Sequence, residues 1–268
     1  MGLGGISTTG RVELALLLGR GKRAVTVGDA ESIFKVTAPV AAQKLARWTE
    51  LGWLRRVRRG LYIPVPVEAE HPASWSEDPV FLADLVWGPC YFTGWTSASH
   101  WGLTEQIFRT TVLKSTARIR STDQRLLDHD YIVEHIDPGA VWGGTALWRQ
   151  DHRVRFADPA RTVIDMLDEP HLGGGIRGVG DVLTRFLDEH DPKTLVAYGE
   201  KVGNAAIFKR LGYLLESLGL NQPGLITEAR SRISSGISLL EPSAPASGTR
   251  VPRWGIRANA HIAKDDPS

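Results

Sequence analysis

The stretch Thr37-Ala-Pro-Val-Ala-Ala-Gln-Lys-Leu-Ala-Arg-Trp-Thr-Glu-Leu-Gly52-Trp-Leu-Arg-Arg-Val-Arg-Arg-Gly60-Leu-Tyr-Ile63 decides how the N-terminal part is read. Thr37 can cap a helix, and Pro39 is tolerated in its first turn, where an amide donor is not needed. Ala41, Leu45 and Trp48 recur at i, i+4 and i+7 and form one apolar face, while Gln43, Lys44, Arg47 and Glu50 form the other. Gly52 closes the helix. The residues after it alternate apolar and basic around Arg59-Gly60, which predicts a strand, a tight turn and a second strand. Leu54, Val57, Leu61 and Ile63 then point inward, and Arg55, Arg56, Arg58 and Arg59 cluster at the strand and its tip.

Two shorter helices precede this one. Arg11 to Lys22 carries Leu14, Leu17 and Leu18 on one stripe and ends near Gly19 and Gly21. Thr26 caps the next, with Asp29 three residues on in a variant capping box and Ala30, Ile33 and Phe34 on its apolar face. Three helices, a short turn before the third and a basic hairpin after it are the plan of a winged helix-turn-helix. A three-helix module without nucleic-acid function is the alternative. Thr37, Val40, Gln43, Lys44 and Arg47 are the candidates to face base edges, since Gln matches adenine and Arg matches guanine bidentately. Arg55, Arg56, Arg58 and Arg59 would hold phosphates or enter a minor groove.

Charge agrees with that division. The chain has 268 residues and a net charge of only +2. Residues 1–64 hold eleven Lys/Arg against four acids, a net +7, which leaves 21 against 26, a net −5, for the remainder. A basic module of this kind meets polyanions, because neutralising phosphates releases counterions. With 42% hydrophobic residues the chain is ordinary globular protein, and a single cysteine excludes an internal disulfide framework and a multi-thiolate zinc site. Cys90, in Trp-Gly-Pro-Cys-Tyr-Phe, reads as a buried small hydrophobe. No apolar run reaches the roughly 18 residues of a membrane helix, and the N-terminus lacks the plan of a secretory signal, so a cytoplasmic protein without membrane contact is expected.

The domain organisation expected is a DNA-binding module over 1–64, a proline-punctuated linker over 65–77, a body over 78–240 and a Pro/Ser-rich tail over 241–268. The tail is expected to be partly disordered, with 253–258 docking as a short strand. In the body, Asp78-Pro79 caps a helix that ends at Gly88-Pro89, and Thr96 to Trp101 forms another. Four strands are expected over 110–119, 131–136, 145–150 and 153–156. From Asp158-Pro159 the pattern turns helical, with further helices over 179–187, 192–202 and 205–218. The fold class is therefore α+β, a winged module followed by a larger body in which a small sheet precedes a helical cluster.

Other chemistry is weakly signalled. Gly173-Gly-Gly-Ile-Arg-Gly178 matches the letters of a dinucleotide loop but follows a helix instead of a strand, so it reads as an interhelical turn. The eight histidines show no metal-ligand spacing, and no metal or cofactor is expected. Asp158, Asp165, Asp168 and Glu169 could in principle gather a divalent cation for nuclease chemistry, but helix capping and helix closure account for them. The nine tryptophans, mostly beside apolar neighbours, read as core anchors.

Several stretches taken in order resemble the AbiEi family: Arg58-Arg59-Gly60-Leu61-Tyr62; Trp95-x-Ser97-Ala98 with Gly102-Leu103-Thr104-Glu105-Gln106; Asp158-Pro159-Ala160-Arg161-Thr162-x-Ile164-Asp165; Gly173-Gly174; and Lys209-Arg210-Leu211-Gly212-Tyr213-Leu214-Leu215-Glu216. The resemblance as a whole covers residues 11 to 259 or so, and the quoted stretches lie between Arg58 and Glu216. The resemblance implies a non-enzymatic bacterial antitoxin and transcriptional autorepressor. Its winged helix would bind inverted repeats of double-stranded DNA in its own promoter, and its C-terminal domain would counter a nucleotidyltransferase-like toxin. It also suggests a second basic patch from Lys201, Lys209 and Arg210, for which a solvated helix face is the alternative. The alternatives are a stand-alone winged-helix regulator and a metal-dependent DNA-processing enzyme.

Overall fold

The structure, a computed structural model, describes residues 5–19, 21–69 and 75–262. The chain divides into two compact units, residues 1–78 with 126–128 and residues 79–125 with 129–268. The linker expected over 65–77 lies partly outside the described residues, and its first residue, Val65, is buried as part of the first unit.

The first unit runs α1 (Thr8–Leu18), β1 (Val25–Thr26), α2 (Val27–Phe34), α3 (Ala38–Glu50), β2 (Leu54–Arg58) and β3 (Leu61–Pro64). Helix α1 starts three residues earlier than its leucine stripe predicts, because Ser7 caps it by accepting from the Gly10 amide at 3.1 Å. The Thr26 capping box is complete. The Thr26 hydroxyl accepts from the Asp29 amide at 3.1 Å, and the Asp29 carboxylate accepts from the Thr26 amide at 2.8 Å. The strands form one antiparallel sheet in the order β1-β3-β2, with Gly60 at positive φ closing the β2–β3 turn. Leu14, Leu17, Val25, Ala30, Ala41, Leu45, Trp48, Leu54 and Tyr62 make its core.

The second unit begins with α4 (Pro79–Trp87), β4 (Cys90–Phe92), α5 (Gly94–His100), β5 (Thr111–Ser115), β6 (Asp123–Leu126), β7 (His129–His135), β8 (Gly144–Arg149) and β9 (His152–Ala157). It continues with α6 (Pro159–Asp168), α7 (Ile176–Glu189), α8 (Lys193–Val202), α9 (Ala205–Ser217), α10 (Pro223–Ser231), β10 (Ser238–Leu239), β11 (Thr249–Val251) and β12 (Ile256–Ala258). Six strands order as β6-β7-β5-β4-β9-β8, mixing parallel pairs (β5–β7, β4–β9) with antiparallel ones (β4–β5, β8–β9). The chain is α+β.

One central feature escaped the sequence, and a second was expected only in part. Strand β4 is only three residues long and flanked by helices, too short for a periodicity to register, yet it sits in the middle of the sheet. The tail, expected to be partly disordered with 253–258 docked as a short strand, is structured through Ile262: β12 lies within that expected strand, β11 joins it in a hairpin, β12 pairs with β10, and Trp254 and Ile256 are fully buried in the helical core. Trp254 takes the space that Gly212 leaves open on α9; a Cβ at Gly212 would lie 2.1 Å from its ring. The last six residues of the tail lie outside the described residues.

Candidate nucleic-acid interface

Helix α3 is the centre of the candidate surface. Its inner face is anchored by Ala41, Leu45 and Trp48, none more than 4% exposed, and the edge of the Phe34 ring meets Trp48 at 6.0 Å. With that face buried, the helix cannot roll, and Thr37, Val40, Gln43 and Arg47 stand exposed on the outside. Thr37 holds the extended N-cap conformation but makes no side-chain capping bond, so the first turn depends on Pro39 and on the Ala41 amide donating to the Thr37 carbonyl at 2.9 Å.

Lys44 belongs to the fold and not to the open face. Its ammonium donates to both carboxylate oxygens of Glu13 at 2.7 and 2.8 Å and lies 5.5 Å from the centroid of Phe34, which ties α3 to α1 and α2. The helical wheel puts Lys44 outside, but the neighbouring helix brings Glu13 to it, a pairing that no local pattern reports.

The hairpin arginines divide in the same way. Arg56, Arg58 and Arg59 are exposed. Arg55 is turned inward: its guanidinium donates to the Trp75 carbonyl and pairs with Asp128 at 3.1 Å, leaving the side chain 17% exposed. Strict alternation along β2 would put Arg56 and Arg58 on one side and Arg55 and Val57 on the other. The ladder slips between Arg56 and Arg58, so the tip departs from simple alternation. The assembled surface is therefore Gln43 and Arg47 on α3 with Arg56, Arg58 and Arg59 on the hairpin, smaller by Lys44 and Arg55 than the sequence suggests.

The second patch is not formed. Lys209 and Arg210 are 2% and 4% exposed. Lys209 donates to the Gly236 carbonyl at 3.0 Å, and Arg210 donates to the carbonyls of Leu167, Asp168 and Leu239, so both cations satisfy backbone carbonyls at the end of α6 and around β10. Burial lowers the pKa of Arg210 despite the nearby carboxylates of Asp168 and Glu241. Lys201 alone is at the surface, its ammonium 4.2 Å from the centre of the Trp142 ring.

The carboxylates considered for metal chemistry are occupied by the protein itself. Asp165, 1% exposed on α6, accepts from Tyr91 Oη at 3.0 Å, Thr93 Oγ1 at 2.7 Å and Arg161 Nε at 2.9 Å, with Lys114 Nζ at 3.5 Å. Lys114 also reaches Glu169 at 2.5 Å. Burial works against charge on Lys114, but Asp165 and Glu169 outweigh it and hold the ammonium protonated. Burial and the adjacent Asp165 push the Tyr91 hydroxyl up, so it donates as a neutral phenol. Asp158 caps α6 through the Arg161 amide at 2.8 Å and accepts from Tyr198 at 2.9 Å, while Asp168 accepts from Asn204 at 2.6 Å. The capping role of Asp158 was legible in the sequence; Tyr91 and Lys114 were invisible as partners of Asp165 because they come from β4 and β5, whereas Arg161 stands one turn before Asp165 on α6.

The glycine-rich turn is explained by close approach. A Cβ at Gly173 would lie 2.3 Å from Met166 Cε, and one at Gly178 would lie 2.1 Å from the Gly173 carbonyl oxygen. These glycines let α6, the turn and α7 touch. Cys90 is buried, and burial beside Asp84 pushes its thiol up, out of reach of thiolate chemistry at neutral pH.

No family model matches this chain, and no curated protein matches it. Among solved structures it is similar to the RV2827C protein from Mycobacterium tuberculosis, with a TM-score of 0.66, 15% sequence identity, and coverage of 95% of this chain and 93% of that one. At that identity the likeness is one of fold, and it extends over both units.

Proposed function

We propose that the first unit is a winged helix-turn-helix that reads double-stranded DNA, and that the protein is a transcriptional autorepressor. The observation that carries the reading is the pairing of two exposed basic features on one small buried core: Gln43 and Arg47 on the outer face of α3, and Arg56, Arg58 and Arg59 on the hairpin. A helix fixed from behind and polar in front suits the major groove, where Gln43 and Arg47 would meet base edges. The hairpin arginines would meet phosphates and set the register. The resemblance to AbiEi proteins supports a further role as an antitoxin against a nucleotidyltransferase-like toxin, with inverted repeats in its own promoter as the DNA partner.

Binding to the DNA upstream of its own reading frame, against a scrambled duplex at two salt concentrations, tests the reading. Arg47→Ala is expected to lower affinity on the upstream DNA alone, by about 1–3 kcal/mol. Arg58→Ala with Arg59→Ala should weaken binding on both duplexes and flatten the salt dependence by roughly one unit for each phosphate that is no longer neutralised. Equal, weak binding to both duplexes by wild type and Arg47→Ala would overturn specific reading. Co-expression with a nucleotidyltransferase-like protein encoded beside it, scored by growth, tests the antitoxin role separately.

A further inference from the structure

The six-stranded sheet has two edges that differ in kind. Strand β6 exposes Asp123 and Arg125, the charged blunting common on solvent edges. Strand β8 carries Gly144-Thr-Ala-Leu-Trp-Arg149, with a single charge at its end, no proline, and an unbroken register to β9 from Gly144↔Ala157 to Arg149↔His152. The two-residue turn after Arg149 makes Arg149/His152, Leu147/Val154 and Thr145/Phe156 the hydrogen-bonded pairs of that ladder. The amides and carbonyls of Gly144, Ala146 and Trp148 therefore point away from the sheet, and among the described residues none of them has a backbone partner. Trp148, on the same face, is 71% exposed.

We propose that this edge is the self-association surface of the protein: β8 of a second copy pairs antiparallel with it about a twofold axis at Ala146. That register uses all three outward peptide groups of each copy. It sets Trp148 of one copy directly across from Gly144 of the other, where no side chain obstructs it. The Arg155 side chain already lies over Gly144, with Cγ 2.9 Å from where a Cβ would stand, so the incoming indole meets a guanidinium stem and gains a cation–π contact. Each Trp148 is thus matched by a small residue and a cation, twice, through one symmetry operation. The Arg155 pair is separated by both β8 strands, which keeps the like charges apart. Two indoles contribute roughly 300 Å², about a quarter of the ~1,200 Å² at which stable interfaces begin. The paired strands add the rest, so the dimer is weak and concentration-dependent.

Sedimentation velocity on the full chain between about 1 and 100 µM tests this. The expected result is a shift from the 29.4 kDa monomer toward twice that mass, with Trp148→Glu weakening association at least about tenfold and Arg155→Ala weakening it to a smaller extent. Oxidation of Ala146→Cys gives a second readout. Cα atoms of a hydrogen-bonded antiparallel pair lie about 5.5 Å apart, within disulfide reach, and native Cys90 is buried. A disulfide dimer is expected from Ala146→Cys and not from Arg153→Cys, one strand farther from the axis. A monomer throughout the range, a dimer insensitive to Trp148→Glu, or equal cross-linking at 146 and 153 would each overturn the proposal.

Discussion

Replacing Asp165 by alanine should unfold the second unit more readily than any surface change. The carboxylate is 1% exposed and accepts three hydrogen bonds, from Tyr91, Thr93 and Arg161, with Lys114 at 3.5 Å; Lys114 and Arg161 are themselves only 5% and 3% exposed. Each bond to a charged acceptor is worth about 1.5–3 kcal/mol. The values do not add, and the dominant cost is two cations left in a dry site with one anion fewer, for which breaking a buried pair costs about 3–5 kcal/mol. With a urea m-value near 2 kcal/mol/M, the unfolding midpoint should fall by about 2 M. Asp165→Asn keeps an acceptor for the hydroxyls and should lose less. Adding Lys114→Met to Asp165→Ala should recover at least about 1 kcal/mol, because it removes the stranded ammonium. Urea denaturation followed by circular dichroism reads all three. A midpoint shift under about 0.3 M for Asp165→Ala, or no recovery in the double variant, would refute the account of the site as a coupled buried network.

Three further outcomes follow from the packing. Gly212→Ala forces a methyl against the fully buried Trp254, where its Cβ would sit 2.1 Å from the ring, and should destabilise by about 1–3 kcal/mol or more in thermal unfolding. Thr26→Ala removes half of the capping box of α2 and should cost about 1 kcal/mol, measured as a shift in the unfolding of the first unit. Burial opposes ionisation of Asp29, but hydrogen bonds from Lys22 and from the Thr26 side chain and backbone outweigh it and hold its pKa below the ordinary carboxylate value. A carboxylate depressed in the folded state adds stability that is complete above about pH 4 and is lost as pH falls through the lowered folded value. Asp29→Asn should therefore be less stable than wild type at neutral pH, and the difference should close in acid; a gap that widens below pH 4 would contradict the sign.

Much of the N-terminal fold was legible because it rests on local rules. The Thr26 box, the i, i+4, i+7 stripe of α3 and the Arg59-Gly60 turn each depend on residues within one or two turns of one another, and each occurs where the residues direct. The candidate surface was legible by side-chain type but not by occupancy. Lys44 carries the same charge and the same outward helical position as Arg47, and Arg55 the same charge as its neighbour Arg56, yet Glu13 on α1 and Asp128 claim Lys44 and Arg55. Charge pairing between segments 31 and 73 residues apart has no signature in a linear pattern.

The second unit shows the same division more sharply. From the chain alone came its α+β character, the Asp158-Pro159 start of α6 and most strand positions. The sheet order, the central place of three-residue β4 and the docking of residues 249–258 were decided by long-range pairing. Lys209, Arg210 and Trp254 state the reason. A helical Lys-Arg pair reads as solvated and a Pro/Ser-rich segment reads as loose, because a local pattern assumes water as the default neighbour. In the folded chain the neighbour of each cation is a set of backbone carbonyls, and the neighbour of the tryptophan is the gap above Gly212. Propensity and periodicity determine which elements form. Which polar groups remain at the surface is decided only when the elements meet, since burial is tolerable for a charge or an indole only where the rest of the fold supplies its partners.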